Sequence, residues 1–337
     1  MFGHKSLPSH SLRSLYTVAL LLTLPSGLPA FGNDATGKRD VARSCKGQDS
    51  LAATIEDDQN NDADFDEETV DPELDQVLSD WEEATANIEL LQGTFTLFVY
   101  DHVYLVEERS VGKFWFKAPR QGRIDLDAVR LPDPQVRRDK FDAKGNPYVL
   151  ESGANEQRIC TGEEIYFVYE DLKLYDHMII RPEVRDDIGT AHVFQLLFLP
   201  APLFGISADE IKERYHLEFG RLNRPERSTV ERDGQQVDFP RQWHIVLYPQ
   251  TEADKREWSQ LELLFEFGTF RPRAVRVFSP SREKETIYAF DLSRMRVNDD
   301  RISCPSPFHF RPPDDFQENG NGQPPWWLPP ELRMLVE

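Results

Sequence analysis

The sequence is poor in the residues that mark a catalyst. Its 337 residues hold 3 cysteines and 8 histidines. His102, His177, His192, His216, His244 and His309 are scattered, without the His-Glu-x-x-His spacing that sets two imidazoles on one helix face around a metal. No Gly-x-Ser-x-Gly elbow supports a hydrolase nucleophile, and no glycine-rich loop is present to cradle a phosphate or dinucleotide. Acid pairs such as Glu163 with Glu164 and Glu170 with Asp171 arise by chance in so acidic a chain and read as turns or solvated strand edges. No metal, no cofactor and no catalytic residue is expected. A site assembled from distant residues stays open.

Basic residues are missing from one long stretch. Between Gly47 and Glu108 lie 19 acidic residues and no Lys or Arg, so the formal net charge of -20 sits almost entirely there. The remainder is near neutral, with 40 acids against 39 bases. Residues 33–70 therefore read as an acidic tether, too poor in apolar side chains to bury a core. Asp57, Asp58, Asp62, Asp64 and Asp66 lack the spacing of a calcium loop. Nucleic acid is excluded as a partner, because phosphate affinity needs a basic surface.

Long apolar runs are also absent. Leu15 to Leu24, preceded by Lys5 and Arg13 and broken by Pro25 and Gly27, has about half of the roughly 20 apolar residues that a membrane span needs. It fits the core of a secretory leader ending near Ala30 or Gly32, so residues 1–32 are expected to be removed on export.

What is present begins at Asp71. An N-cap residue followed by Pro72 and Glu73 predicts a helix start. Leu74, Val77, Leu78, Trp81, Ala84, Ile88 and Leu91 recur at helical spacing, with Gly93 as the expected stop. The period then becomes two, giving strands through Phe95 to Tyr100, Val111 to Lys117 and Arg123 to Asp127. Further strands are predicted at 164–169, 215–221, 242–248, 260–267, 273–278 and 285–292. Gly189 to Leu199 predicts an unusually apolar helix stopped by Pro200, and Ser207 with Glu210 forms a capping box. The strand 95–100 is apolar on both faces, which requires either two packed layers or one packed layer and an apolar cavity. The pattern leaves these two open.

The Trp81-Glu82-Glu83-Ala84 helix, and Gly112-Lys113-Phe114-Trp115-Phe116-Lys117-Ala118-Pro119 followed by Gly122-Arg123-Ile124-Asp125-Leu126, resemble the LolA/LolB lipoprotein-carrier superfamily, more narrowly a planctomycete envelope branch of it. The resemblance covers roughly residues 71–313. It implies a mainly β (α+β) fold: an incomplete antiparallel β-barrel with an N-terminal helix and a helical lid over an apolar cavity. It also implies a periplasmic monomer that binds a lipid or lipoprotein acyl chain and meets envelope membrane proteins. The cavity would be lined by Phe95, Leu97, Val99, Phe114 and Phe116 from the strands and by Phe194, Leu197 and Phe198 from the lid.

Two rival readings stand beside it: an interaction module whose sheet is filled by its own side chains, and a hydrolase with a dispersed site. In an oxidising compartment two of the three cysteines can pair, and Cys160 with Cys304 is then the expected bridge, because Cys45 lies in the tether; three free or buried thiols are the alternative. Residues 314–337 read as a Pro- and Trp-rich tail, with Trp326 and Trp327 expected to dock on the protein's own surface, a membrane surface or partner being the alternative.

Overall fold

The computed structural model describes residues 71–131, 135–142, 144–185, 188–198, 204–223, 228–232, 235–239, 241–299, 307–319 and 336. The expected leader and tether, Cys45, Cys304, Trp326 and Trp327 lie outside them.

Helix α1 (Pro72–Ala86) starts where the sequence places it, with the Asp71 carboxylate accepting from the Glu73 amide at 2.9 Å. Leu74, Val77, Leu78 and Trp81 are its buried stripe. The fourth turn differs from expectation, because Thr85 is buried in place of Ala84. Thr85 Oγ1 donates to the Trp81 carbonyl at 2.9 Å, so its hydroxyl is satisfied inside the helix. Gly93 is not the helix stop. The helix ends at Asn87, and Gly93 sits inside β1 (Leu90–Asp101), where a Cβ would lie 2.8 Å from the Phe114 ring. Its smallness serves ring packing rather than a cap.

The chain continues through β2 (Val106–Lys117), β3 (Gln121–Ala128), the hairpin β4 (Gln135–Phe141) and β5 (Pro147–Ser152), and then β6 (Glu156–Cys160), β7 (Glu164–Tyr169) and β8 (Leu174–Ile179). A short 3-10 turn and α2 (Thr190–Phe198) follow, then α3 (Ala208–Arg214), in which Ser207 caps Glu210 as expected. The second half holds β9 (Tyr215–Phe219), a separate ribbon of β10 (Ser228–Arg232) with β11 (Gln235–Phe239), and β12 (Gln242–Pro249). After α4 (Glu252–Glu257) come β13 (Gln260–Glu266), β14 (Pro272–Phe278), β15 (Lys284–Phe290) and the short β16 (Arg296–Val297) and β17 (Gln317–Glu318).

Fifteen strands form one sheet, in the order β17-β8-β7-β6-β3-β2-β1-β15-β14-β13-β12-β9, with β16 beside β1 and the β4–β5 hairpin beside β2. The pairs are antiparallel except β2 with β5 and β8 with β17. The sheet is large, mainly antiparallel and unclosed, as the expected fold class requires. Two local meanders make it, joined where β1 pairs with β15 in the register Phe95 to Phe290, Leu97 to Tyr288 and Val99 to Thr286.

Helices cover one face, called inner here. Trp81 of α1 meets Phe265 of β13 with ring centroids 4.9 Å apart, and Lys212 of α3 pairs with Asp75 of α1 at 2.8 Å. The sheet runs past the expected domain end at Pro313. Gln317 donates to the Lys173 carbonyl at 3.0 Å and Asn319 to that of Tyr175 at 2.8 Å, Phe310 packs on Tyr166 at 5.0 Å, and Val336 forms a bridge with Ile180. Hydrophobic groups on the 307–319 segment are covered by docking it on the outside of β7 and β8.

Candidate functional site

The strand register decides which side chains share the inner face, because side chains alternate along each strand. Phe95, Leu97 and Val99 of β1 lie there, as do Phe114 and Phe116 of β2, opposite Gly93 and Leu91. Phe95, Phe114 and Phe116 are exposed by 2%, 1% and 2%. Their rings interlock: Phe95 stands 6.2 Å from Phe114, 5.4 Å from Tyr288 and 5.8 Å from Phe290. The Phe95 ring also covers Gly112, where a Cβ would fall 2.1 Å from it. These five expected residues share one apolar face. Of the lid trio, Leu197 is 2% exposed on that face, whereas the side chains of Phe194 and Phe198 lie outside the described residues.

Helix α2 rests directly on the sheet. Leu197 Cδ1 and Val193 Cγ1 lie 2.4 and 2.9 Å from where a Gly122 side chain would begin, so the helix occupies the space that a Cβ on β3 would take. Next to it is a polar island that sequence reading missed. Arg158 Nε donates to Glu156 Oε1 at 2.8 Å and Nη1 to the Leu197 carbonyl at 2.9 Å. Both side chains are almost wholly buried, which a charge pair tolerates only with its hydrogen bonds satisfied. The available signal was their spacing: positions 156 and 158 of one strand share a face with Cys160. Cys160 is a free thiol whose Sγ donates to the Arg120 carbonyl at 3.1 Å. Burial pushes its pKa up to about 11, so it is inert as a nucleophile. Its expected bridge partner, Cys304, is outside the described residues.

The opposite, outer face carries a different arrangement. Six side chains form a line across five strands and the loop after β1. Tyr148 Oη lies 2.6 Å from His102 Nδ1, and His102 Nε2 lies 3.0 Å from Glu285. Arg276 reaches Glu285 at 2.6 Å and Glu262 at 3.3 Å, and Glu262 lies 3.4 Å from His244 Nε2. The Leu222 amide donates to His244 Nδ1 at 3.1 Å. That nitrogen is therefore an acceptor, and the other carries the proton toward Glu262.

Burial alone would push the Glu285 and Glu262 carboxyls up. For Glu285 the hydrogen bond from His102 and the Arg276 charge, and for Glu262 the hydrogen bond from His244 and the Arg276 charge, outweigh it and hold both below the usual range. These are ionised, structurally committed carboxylates. Among the described residues no group of three or more His, Cys, Asp or Glu is placed to hold a metal, and no described helix is long and apolar enough to cross a membrane.

No family model matches the chain, and no curated protein does. Solved structures similar to it include an uncharacterised conserved protein of Thermus thermophilus, at 9% identity over 73% of this chain and 98% of that one, with a TM-score of 0.35. Another is a chain of the Pseudomonas aeruginosa MucA/MucB complex, at 12% identity, 72% and 62% coverage and a TM-score of 0.31; this chain thus spans less than two thirds of it. A third is a LolA superfamily protein of Nitrosomonas europaea, at 9% identity, 67% and 95% coverage and a TM-score of 0.27.

Proposed function

We propose that this protein is a non-catalytic carrier of an apolar chain, a lipid or a lipoprotein acyl chain, held between the inner face of the sheet and α2. The seat of α2 supports this reading most. The helix has no acidic residue in its first turn and no basic one in its last, and it meets β3 through Val193 and Leu197 over Gly122. The Arg158 bond to the Leu197 carbonyl ties it to β6.

Lifting α2 would uncover an apolar strip of Gly122, Phe116, Cys160 and Ile165. An acyl chain could cover that strip in place of the helix at a similar gain, about 25 cal/mol per Å2. The exchange then costs chiefly one charge-assisted hydrogen bond, which an ester or carboxyl oxygen could restore. The expected leader and the LolA resemblance support work in the periplasm or cell envelope, by a monomer that exchanges its cargo with membranes or membrane proteins.

The rival reading, an interaction module with a filled sheet, is favoured by the tight ring packing of Phe95 over Gly112. Native mass spectrometry of the mature protein from its own envelope, followed by lipid extraction, separates the two. A stoichiometric lipid, or uptake of a fluorescent fatty acid that Gly122→Phe abolishes, is the expected result. A clean apo mass with no uptake would leave the interaction module in front.

A further inference from the structure

Helix α2 is fastened at both ends, and the two fastenings differ in kind. At its C-terminal end the Arg158 guanidinium donates to the Leu197 carbonyl at 2.9 Å. A guanidinium stays charged at every accessible pH. At the N-terminal end the fastening is an imidazole. Gly189 precedes the first helical residue, Thr190, and has no side chain to cap the helix; its amide donates to Nδ1 of His192 at 3.2 Å. Its carbonyl accepts from the Val193 amide at 3.4 Å, which starts the helical ladder. His192 thus stands at the third helical position, where a Glu or Gln ordinarily reaches back to the amide ahead of the helix.

An Nδ1 that accepts carries no proton, so the neutral ring bears its proton on Nε2. Protonation changes three things in one direction. Nδ1 turns from acceptor to donor, so it and the Gly189 amide point hydrogens at each other. A positive charge arrives at the helix N-terminus, where the macrodipole opposes it, and the first turn holds no acidic residue to offset it. The ring is also half-buried, so its charge is poorly hydrated.

The surrounding charges decide how far this goes. Burial has the largest influence and holds the imidazole below its ordinary 6.5; Glu210 of α3 pulls upward, and Arg214 of α3 pushes down again. Beneath α2, β3 offers Gly122, and the polar groups of β6 are engaged elsewhere, Glu156 with Arg158 at 2.8 Å and Cys160 with the Arg120 carbonyl at 3.1 Å. In the turn before α2, Arg185 pairs with Glu163 at 3.3 Å. The released helix therefore takes up a proton more readily than the seated one. The stabilising contribution of the neutral ring is complete above about pH 6.5 and is lost as pH falls below it.

We propose that His192 is a proton-sensitive clasp on α2: neutral, it holds the first turn of the helix down on β3, and protonated, it releases that turn while Arg158 keeps the far end attached. The seat then opens from its N-terminal side in mild acid. That an apolar chain enters the opened seat rests on the carrier reading; the clasp itself does not.

Hydrogen exchange of the full chain, read by mass spectrometry on peptides covering 190–198 and corrected for the intrinsic effect of pH, tests the clasp. Exchange there should be about five- to tenfold faster at about pH 5 than at about pH 7.5, the change expected for one lost cap and one opposed charge, while peptides of β14 should show no such difference. His192→Gln keeps an acceptor at this position and takes up no proton, so it should abolish the pH dependence and stay protected at both values. Nitrogen chemical shifts of protein labelled at histidine keep the test open if the variant folds poorly, because the His192 ring should carry its proton on Nε2 at about pH 7.5. Exchange that does not respond to pH, an equal response in His192→Gln, or a proton on Nδ1 would overturn the proposal.

Uptake of a fluorescent fatty acid at the two pH values separates the clasp from the carrier reading. Acid-dependent exchange with uptake that rises in acid supports both. The same exchange with no uptake at either pH leaves the clasp standing and removes the carrier reading.

Discussion

The two faces of this sheet solve burial in opposite ways. The inner face is covered by helices and filled with rings, and its buried ion pair, Glu156 with Arg158, is bound to a helix carbonyl. The outer face near β1, β2 and β15 buries Glu107, Glu285 and Tyr100 against the β4–β5 hairpin, and it satisfies the two carboxylates with guanidinium and imidazole groups. Apolar packing is non-directional and lets one greasy occupant replace another. A buried charge network is directional and fails when one member goes. The proposed exchange therefore belongs to the inner face, while the outer face holds strands in register.

Substitutions at the anchor of each face should separate these modes. Trp81→Ala removes the largest buried side chain of α1 and its contact with Phe265; denaturant unfolding should show a loss of about 3–5 kcal/mol. Glu107→Leu leaves Arg109 and Arg137 facing a buried apolar group. It should cost about 3–5 kcal/mol, and the loss should respond to salt where that of Trp81→Ala does not. If both losses show the same salt response, the contrast between the faces is wrong.

Gly122→Ala should push α2 outward, because the new Cβ would stand 2.4 Å from Leu197. A loss of about 1–3 kcal/mol, with faster proteolysis within 190–198 and unchanged cutting in β4–β5, would confine the effect to the inner face.

The smallest effect concerns pH. Glu108 lies opposite Glu151 in the parallel β2–β5 pair, and burial, then Glu151, raises its pKa from 4.5 to about 7. Between these values the folded chain binds the proton more tightly than the unfolded chain, so this group's contribution to stability falls as pH rises from 4.5 to 7. Glu108→Gln should leave stability at about pH 4 unchanged and raise it at about pH 8 by about 1–2 kcal/mol. Melting curves at the two pH values check this.

Much of the inner face could be read from the sequence, because its signals are local. The Asp71 cap, the stripe Leu74 to Trp81, the alternation through Phe95 to Val99 and the Ser207 capping box each depend on neighbours within a few positions. Gly93 misled for the same reason: a glycine after a periodic run looks like a helix stop, and only the Phe114 ring on another strand shows its actual use. The strands β4, β5, β6 and β8 were not predicted. Charged residues such as Arg137, Arg138, Asp139 and Lys140 break the apolar alternation, and these strands rely on partners rather than propensity. The outer network was not readable at all. Tyr100 faces Glu285 only because β1 pairs with β15, and no spacing within either segment announces that pairing.

That same seam has a consequence in time. Most pairs within each meander join segments close in sequence, β17 with β8 excepted, but the β1–β15 register unites segments far apart in the described chain. Such distant pairing raises contact order and slows folding. Until it forms, Phe98 and Tyr100 on one edge and Ile287 on the other present unpaired, aromatic-rich strands to any other chain. Helix α1, which precedes β1 yet packs on β13 through Trp81 and Phe265, bridges the two halves across this seam. Its docking shortens the interval during which the two open edges can meet the wrong partner.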